Sequence, residues 1–119
     1  MSPAESNGCV NRPLPKAARL LDGAQFRQVF EHRRVCGNTL FRLHYAPSET
    51  ARLGLAISRR VSRLAVVRNR IRRQVRESFR LNRPRLASMD YVVLARPDAA
   101  QASRVELRAA IDQLWQRFI

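Results

Sequence analysis

An α+β sandwich, with a mixed sheet of about four strands and helices at the start, middle and end of the chain, is the fold this sequence predicts. Three observations predict it. Apolar residues recur at helical spacing in three stretches, and alternate or run together between them, in the order α, β, β, α, β, α. Strands are joined across helices, as one sheet carrying helices requires. The 119 residues are enough for a single domain with its own core, and no second domain is needed.

Taken in order, residues 1–15 place Pro3, Gly8, Pro13 and Pro15 among small polar side chains. They read as a mobile tail ahead of a domain spanning 16–119. Asp22 is placed as an N-cap, and Phe26, Val29 and Phe30, extended by Arg33, mark the inner edge of a helix over 22–32. From Val35 to Ala46 the pattern alternates, with Leu40, Arg42 and His44 set against Phe41, Leu43 and Tyr45, and an extra short strand fits over 33–36. Leu53, Leu55 and Ile57 then alternate with Gly54 and Ala56 in a strand over 51–58, where the small side chains let another group come close. The turn around Ser48 to Thr50 predicts that these two strands form a hairpin.

The loop from Arg59 to Leu64 leads into a helix that must stop before Pro84, because the residue preceding a proline avoids the helical region. Met89 to Arg96 is a nearly continuous apolar run, typical of a central strand, and Pro97 closes it. Ser103 with Glu106 forms a capping box, and Leu107, Ile111, Leu114, Trp115 and Phe118 make the stripe of a last helix.

The middle helix carries the charge. Between Arg59 and Arg80 nine arginines meet one acid, Glu77, in a chain whose formal charge is +14. At about 100° per residue, Val67, Ile71, Val75, Ser78 and Phe79 fall on one side of this helix. Asn69, Arg72, Arg73, Arg76 and Arg80 fall on the other, with Arg68 and Arg70 flanking the stripe. Like charges at i, i+4 oppose folding, so an anionic partner is expected against this face; a plain solvated face usually mixes signs. Guanidiniums one turn apart, about 5–6 Å, are comparable in spacing with phosphates along a nucleic-acid strand. Only Lys16 among the 23 basic residues is lysine, which suits bidentate phosphate contacts and equally fits the codon bias of a GC-rich genome.

Aromatic residues near basic ones, Phe26, Phe30, Phe41 and Tyr45, are either core side chains or stacking platforms for bases. A search for catalytic machinery finds no nucleophile with a base and no carboxylate pair. His32 and His44 lie in different elements, and the nine acids are scattered. Cys9 and Cys36 have neither zinc nor disulfide spacing, so reduced thiols in a cytosol are expected. No apolar run approaches the roughly 18 residues of a membrane span, and the first residues lack the apolar core of a signal peptide. A cytoplasmic protein with no membrane partner is expected.

The segment Arg68-Asn69-Arg70-Ile71-Arg72-Arg73, after Ala65-Val66-Val67 and before Arg76-Glu77-Ser78-Phe79-Arg80, closely resembles the signature of the bacterial ribonuclease P protein component. Phe26-Arg27-Gln28-Val29-Phe30, Arg52-Leu53-Gly54-Leu55 before Ser58-Arg59-Arg60, and Asp90-Tyr91-Val92-Val93-Leu94-Ala95-Arg96 resemble it too, in the family's order. The resemblance covers about residues 18 to 118 and implies a left-handed βαβ crossover around the basic helix, against the usual right-handed rule. It implies that Arg68, Asn69, Arg70, Arg72, Arg73 and Arg76, with Arg59 and Arg60, meet a large catalytic RNA. It also implies a cleft between the first helix and the sheet that receives the single-stranded 5′ leader of precursor tRNA. Phe26, Phe30, His44, Tyr45 and Arg96 are the candidates there, and either His44 or Tyr45 stacks on the leader. Chemistry would then belong to the RNA and to Mg²⁺ held mainly by it, with the protein monomeric in the ribonucleoprotein. The rival reading is a ribosomal or general RNA-binding module with no enzymatic role.

Overall fold

The structure, a computed structural model, describes residues 19, 20 and 23–119. Its elements are α1 (Gly23–Glu31), β1 (Arg34–Gly37), β2 (Phe41–Pro47), β3 (Arg52–Ala56), α2 (Ala65–Asn82), β4 (Met89–Ala95) and α3 (Arg104–Trp115). Short 3₁₀ turns follow α2, β4 and α3. The proposed tail and the Asp22 cap lie outside the described residues.

The strands form one mixed sheet in the order β1-β2-β4-β3, with β1, β2 and β4 antiparallel in turn and β3 parallel to β4. The expected hairpin of β2 with β3 is therefore not formed, because β4 lies between them. Tyr91, Val92 and Val93 of β4 are fully buried, so this strand is apolar on both faces and takes the middle, where both its edges are paired. The segment after β2 instead crosses the end of β4, where Ser48 N donates to Ser88 O at 3.2 Å.

The hairpin that does form joins β1 to β2, splitting the alternating stretch at Asn38. Its side-chain Oδ1 accepts from the backbone N–H groups of Leu40 (3.1 Å) and Phe41 (3.0 Å), while its Nδ2 donates to Ala110 O of α3 at 2.9 Å. Asparagine favours such turns because its side chain replaces a backbone partner. A Cβ on Gly37 would lie 2.7 Å from Phe41 O, so this turn requires glycine.

Pleating sorts the sheet's two faces. Phe41, Leu43, Leu53, Tyr91 and Val93 meet Val67, Ile71, Val75 and Phe79 of α2 and Leu107, Ile111, Leu114 and Trp115 of α3 in the main core. Among the described residues the other face carries α1, over a small cluster of Leu20, Val29, Ala46 and Val92 with Phe26 and Leu94. The small side chain expected to admit a close neighbour is Gly54: a Cβ there would come within 2.8 Å of the Phe26 ring. Arg33 does not extend the inner edge of α1. It follows the helix end with φ of 54° and is exposed, a left-handed residue whose N–H reaches back to Phe30 O at 3.1 Å.

The capping box of α3 is formed as the sequence predicts, with Ser103 N bonded to Glu106 Oε1 (2.8 Å) and Glu106 N to Ser103 Oγ (3.1 Å).

Candidate nucleic-acid interface

The α2 stripe of Val67, Ile71, Val75, Ser78, Phe79 and Asn82 is buried, which fixes the roll of the helix and so the direction of every arginine on it. Polar contacts lock one flank to α3. Glu77 pairs with Arg108 at 3.0 Å, Ser78 hydrogen-bonds Asp112, and Trp115 Nε1 donates to Ser78 Oγ at 3.0 Å. The acid of the helix is thereby used up on the α3 side. Arg70, seven residues before Glu77 and thus about two turns away, shares that flank and is partly buried.

Arg68, Arg72 and Arg76 follow one another at i, i+4 on the opposite flank. Arg68 Nη1 donates to Ser62 O (2.9 Å) and Arg72 Nη1 to Asn69 Oδ1 (2.8 Å), while Arg73 and Arg76 are exposed. Among the described residues the ion pairs join Arg52 to Asp90 and Arg108 to Glu77, so no carboxylate neutralises this row. Although the residue is exposed as a whole, partial desolvation of its guanidinium, and then the neighbouring charges of Arg72 and Arg19, lower the pKa of Arg76.

At the start of α2 the buried Val61 anchors the connecting loop. Arg59, Arg60, Ser62, Arg63 and Arg68 line a single concavity there. Leu64, the N-cap residue, offers no side-chain acceptor to the first turn. The positive end of the helix dipole therefore adds to four guanidiniums.

The second surface is the part of the α1 face that α1 leaves open. Phe30 remains 37% exposed, and its ring meets the His44 ring edge-on, with centroids 4.7 Å apart and planes at 79°. Antiparallel pairing sets Val35 directly opposite His44, and Arg42, two residues before His44, projects from the same face. Val35 is 43% exposed and Arg42 is also exposed, so both share this open face with Phe30 and His44. The alternation of Arg42 with His44 is visible in the sequence, but Val35 needs the strand register. Arg96 is exposed at the first position after β4.

Tyr45 does not share this face. It points to the opposite face, where its ring packs edge-on against Phe118 at 4.9 Å, because successive strand residues alternate sides. Of the two candidates on β2, His44 is the one facing α1. Phe26 is partly buried against Gly54 and serves the docking of α1.

His44 Nδ1 is shut off from solvent without a hydrogen-bond partner among the described residues. Burial, and then the positive charge of Arg42, lower the imidazole pKa. The folded state thus binds the proton less readily than the unfolded chain, whose value is about 6.5. The stability this contributes is present above that value and is lost as pH falls through the folded pKa. Thermal melts from pH 7.5 down to 5 are expected to show a falling Tm with a smaller slope in His44→Phe; identical slopes would mean that His44 titrates as freely as in the unfolded chain.

A scaffold that holds a row of unneutralised guanidiniums on one side and an exposed Phe30–His44 ring pair on the other defines a folded basic module for binding a polyanion. The profile of the family described as Ribonuclease P matches residues 14–119. Over 113 residues the chain is 42% identical to the ribonuclease P protein component of Xanthomonas campestris pv. campestris, covering 94% of this chain and 75% of that protein. It is 39% identical over 110 residues to the protein component of Thioalkalivibrio sulfidiphilus, covering 91% and 92%. Two solved structures share the fold. The RNase P protein of Staphylococcus aureus, 24% identical, superposes with a TM-score of 0.80 over 86% of this chain and 95% of that one. The RNase P protein of Thermotoga maritima, 25% identical, gives 0.75 over 85% and 97%. The chain belongs to the ribonuclease P protein family, the protein component of an RNA–protein endoribonuclease.

Proposed function

We propose that this protein subunit of ribonuclease P binds the catalytic RNA through Arg68, Asn69, Arg70, Arg72, Arg73 and Arg76 of α2, together with Arg59 and Arg60 of the preceding loop. The cleft of Phe30, His44, Arg42 and Val35, bordered by Arg96, takes the 5′ leader of precursor tRNA. The observation that carries this reading is the Arg68, Arg72, Arg76 row, turned away from Glu77 and α3 and left without a carboxylate among the described residues. A packed domain that keeps such a row gains stability when phosphates lie against it.

Among the described residues no three His, Cys, Asp or Glu side chains converge on a metal position. The Mg²⁺ of the reaction is assigned mainly to the RNA, as the family resemblance implies, and the protein's part is to neutralise phosphates and hold the leader. No helix among the described residues is long and apolar enough to cross a membrane. A cytoplasmic ribonucleoprotein holding one copy of the chain fits this reading.

The direct test is reconstitution of the purified chain with the RNA subunit of ribonuclease P, followed by an assay of leader removal at low Mg²⁺. Stimulation of cleavage at the tRNA 5′ end is expected. Failure to stimulate, with capture of ribosomal RNA from the cell instead, would replace the reading with a general RNA-binding role.

Phe30→Ala is expected to lower the preference of the holoenzyme for precursor over mature tRNA by about 1–3 kcal/mol, the worth of one base stacked on an aromatic ring. Competition binding of the two tRNAs measures it, and an unchanged preference would assign the Phe30 ring to packing alone.

A further inference from the structure

We propose that Arg19, with Arg72 and Arg76, forms a seat for one RNA phosphodiester, extending the RNA-contacting surface from α2 onto the backbone segment that precedes α1. The inference rests on the reading of α2 as the RNA-facing helix and adds a residue outside the signature segment.

Arg19 is held in place by backbone. It pairs in parallel with Leu53, and Leu20 N donates to Leu53 O at 2.9 Å, so residues 19 and 20 add a rung to the free edge of β3. The rung on β3 holds Arg19 near enough to α2 for its charge to be felt at Arg76, and Arg72 stands one helical turn before Arg76. Three like charges thus lie within electrostatic reach of one another along the β3 side of α2. Neither ion pair among the described residues involves any of the three.

The Nε of Arg19 supplies the second observation. It is buried and has no hydrogen-bond partner among the described residues. A shielded donor left without an acceptor is unfavourable, and more so when it is charged. An anion entering between the guanidiniums removes both the unmade hydrogen bond and the repulsion. A phosphodiester suits the place because its two non-bridging oxygens accept from forked guanidinium donors. Such a phosphate can come from the catalytic RNA or from the leader, and the two are separated by experiment.

The variants are Arg19→Gln, Arg76→Gln and the double substitution in the full chain. Each is titrated with the purified catalytic RNA over a salt series and, after reconstitution, with precursor and mature tRNA. Arg19→Gln is expected to reduce the slope of log K against log salt by about one, the signature of one phosphate no longer neutralised. A loss seen with the catalytic RNA alone places the phosphate there; a loss confined to precursor tRNA places it in the leader.

Because the two arginines share one anion, the double variant is expected to lose less affinity than the product of the single losses. Losses that simply multiply would separate them and overturn the shared seat. The Tm of Arg19→Gln at low salt is expected to equal or exceed that of the parent, since repulsion is relieved. An unchanged salt slope in both arms, whatever the Tm, would overturn the proposal. Failure of the parent chain itself to bind the catalytic RNA would instead remove the function proposed above.

Discussion

Replacing Arg68, Arg72 and Arg76 together by alanine is expected to flatten the salt dependence of catalytic-RNA binding by nearly three units of slope, about 0.9 for each phosphate that is no longer neutralised. Between 0.05 and 0.2 M salt, the affinity gap between parent and variant would then narrow by about 40-fold. The fold is expected to survive, because none of the three belongs to the buried stripe and none is ion-paired among the described residues. Outside α2, the hydrogen bond that ties this row to the described residues is that of Arg68 with Ser62 O. Removing arginines from an i, i+4 row also relieves a few tenths of a kcal/mol of repulsion per pair. Circular dichroism and a thermal melt establish the fold, and a salt titration supplies the slope. A slope equal to that of the parent would take this face out of the interface.

The largest loss of stability is expected from Trp115→Ala. Trp115 is fully buried between the rings of Phe79 at 5.5 Å and Tyr91 at 5.4 Å, so it joins α3 to α2 and to the central strand. Deleting so large a side chain costs about 3–5 kcal/mol through lost transfer energy and the cavity left behind. It also strips Ser78 Oγ of the indole donor in a buried polar network that includes Asp112. Against a total stability of roughly 5–15 kcal/mol, the expected result is a Tm lower by about 10–20 °C. Because α2 owes its roll to this core, RNA affinity should fall only as far as the folded fraction falls. At a temperature where the variant remains folded the salt slope should match that of the parent. A variant melting within a few degrees of the parent would mean that the α2–α3 seam does not hold the basic helix in place.

Much of this molecule was legible in one dimension. The stripe Val67, Ile71, Val75, Ser78 and Phe79, the halt before Pro84 and the Ser103–Glu106 box are local patterns, and each appears where its spacing places it. The charge asymmetry of α2 is equally local, since a helix turns side chains at a fixed angle. Strand pairing was not legible. Nothing near Ser48 to Thr50 reveals that β3 will bypass β2 and lie parallel to β4, because that outcome depends on which strand must be covered on both edges. The division of labour on β2 follows from the same fact. His44 and Tyr45 are adjacent in sequence, and only the positions of α1 and α3 decide which face is the open cleft.

Arg19 shows the limit most clearly. In the sequence it is one basic residue before a leucine, with no motif to single it out, and its place on the α2 side of β3 depends on a backbone rung to Leu53 across more than thirty positions of sequence. The sequence by itself determined the family, the order of elements and the cationic side of the central helix, because periodicity and composition act over a few turns of chain. The tertiary structure alone decided which charges stay unneutralised and which aromatic ring stays open, because pairing and burial are settled between residues that the chain keeps far apart.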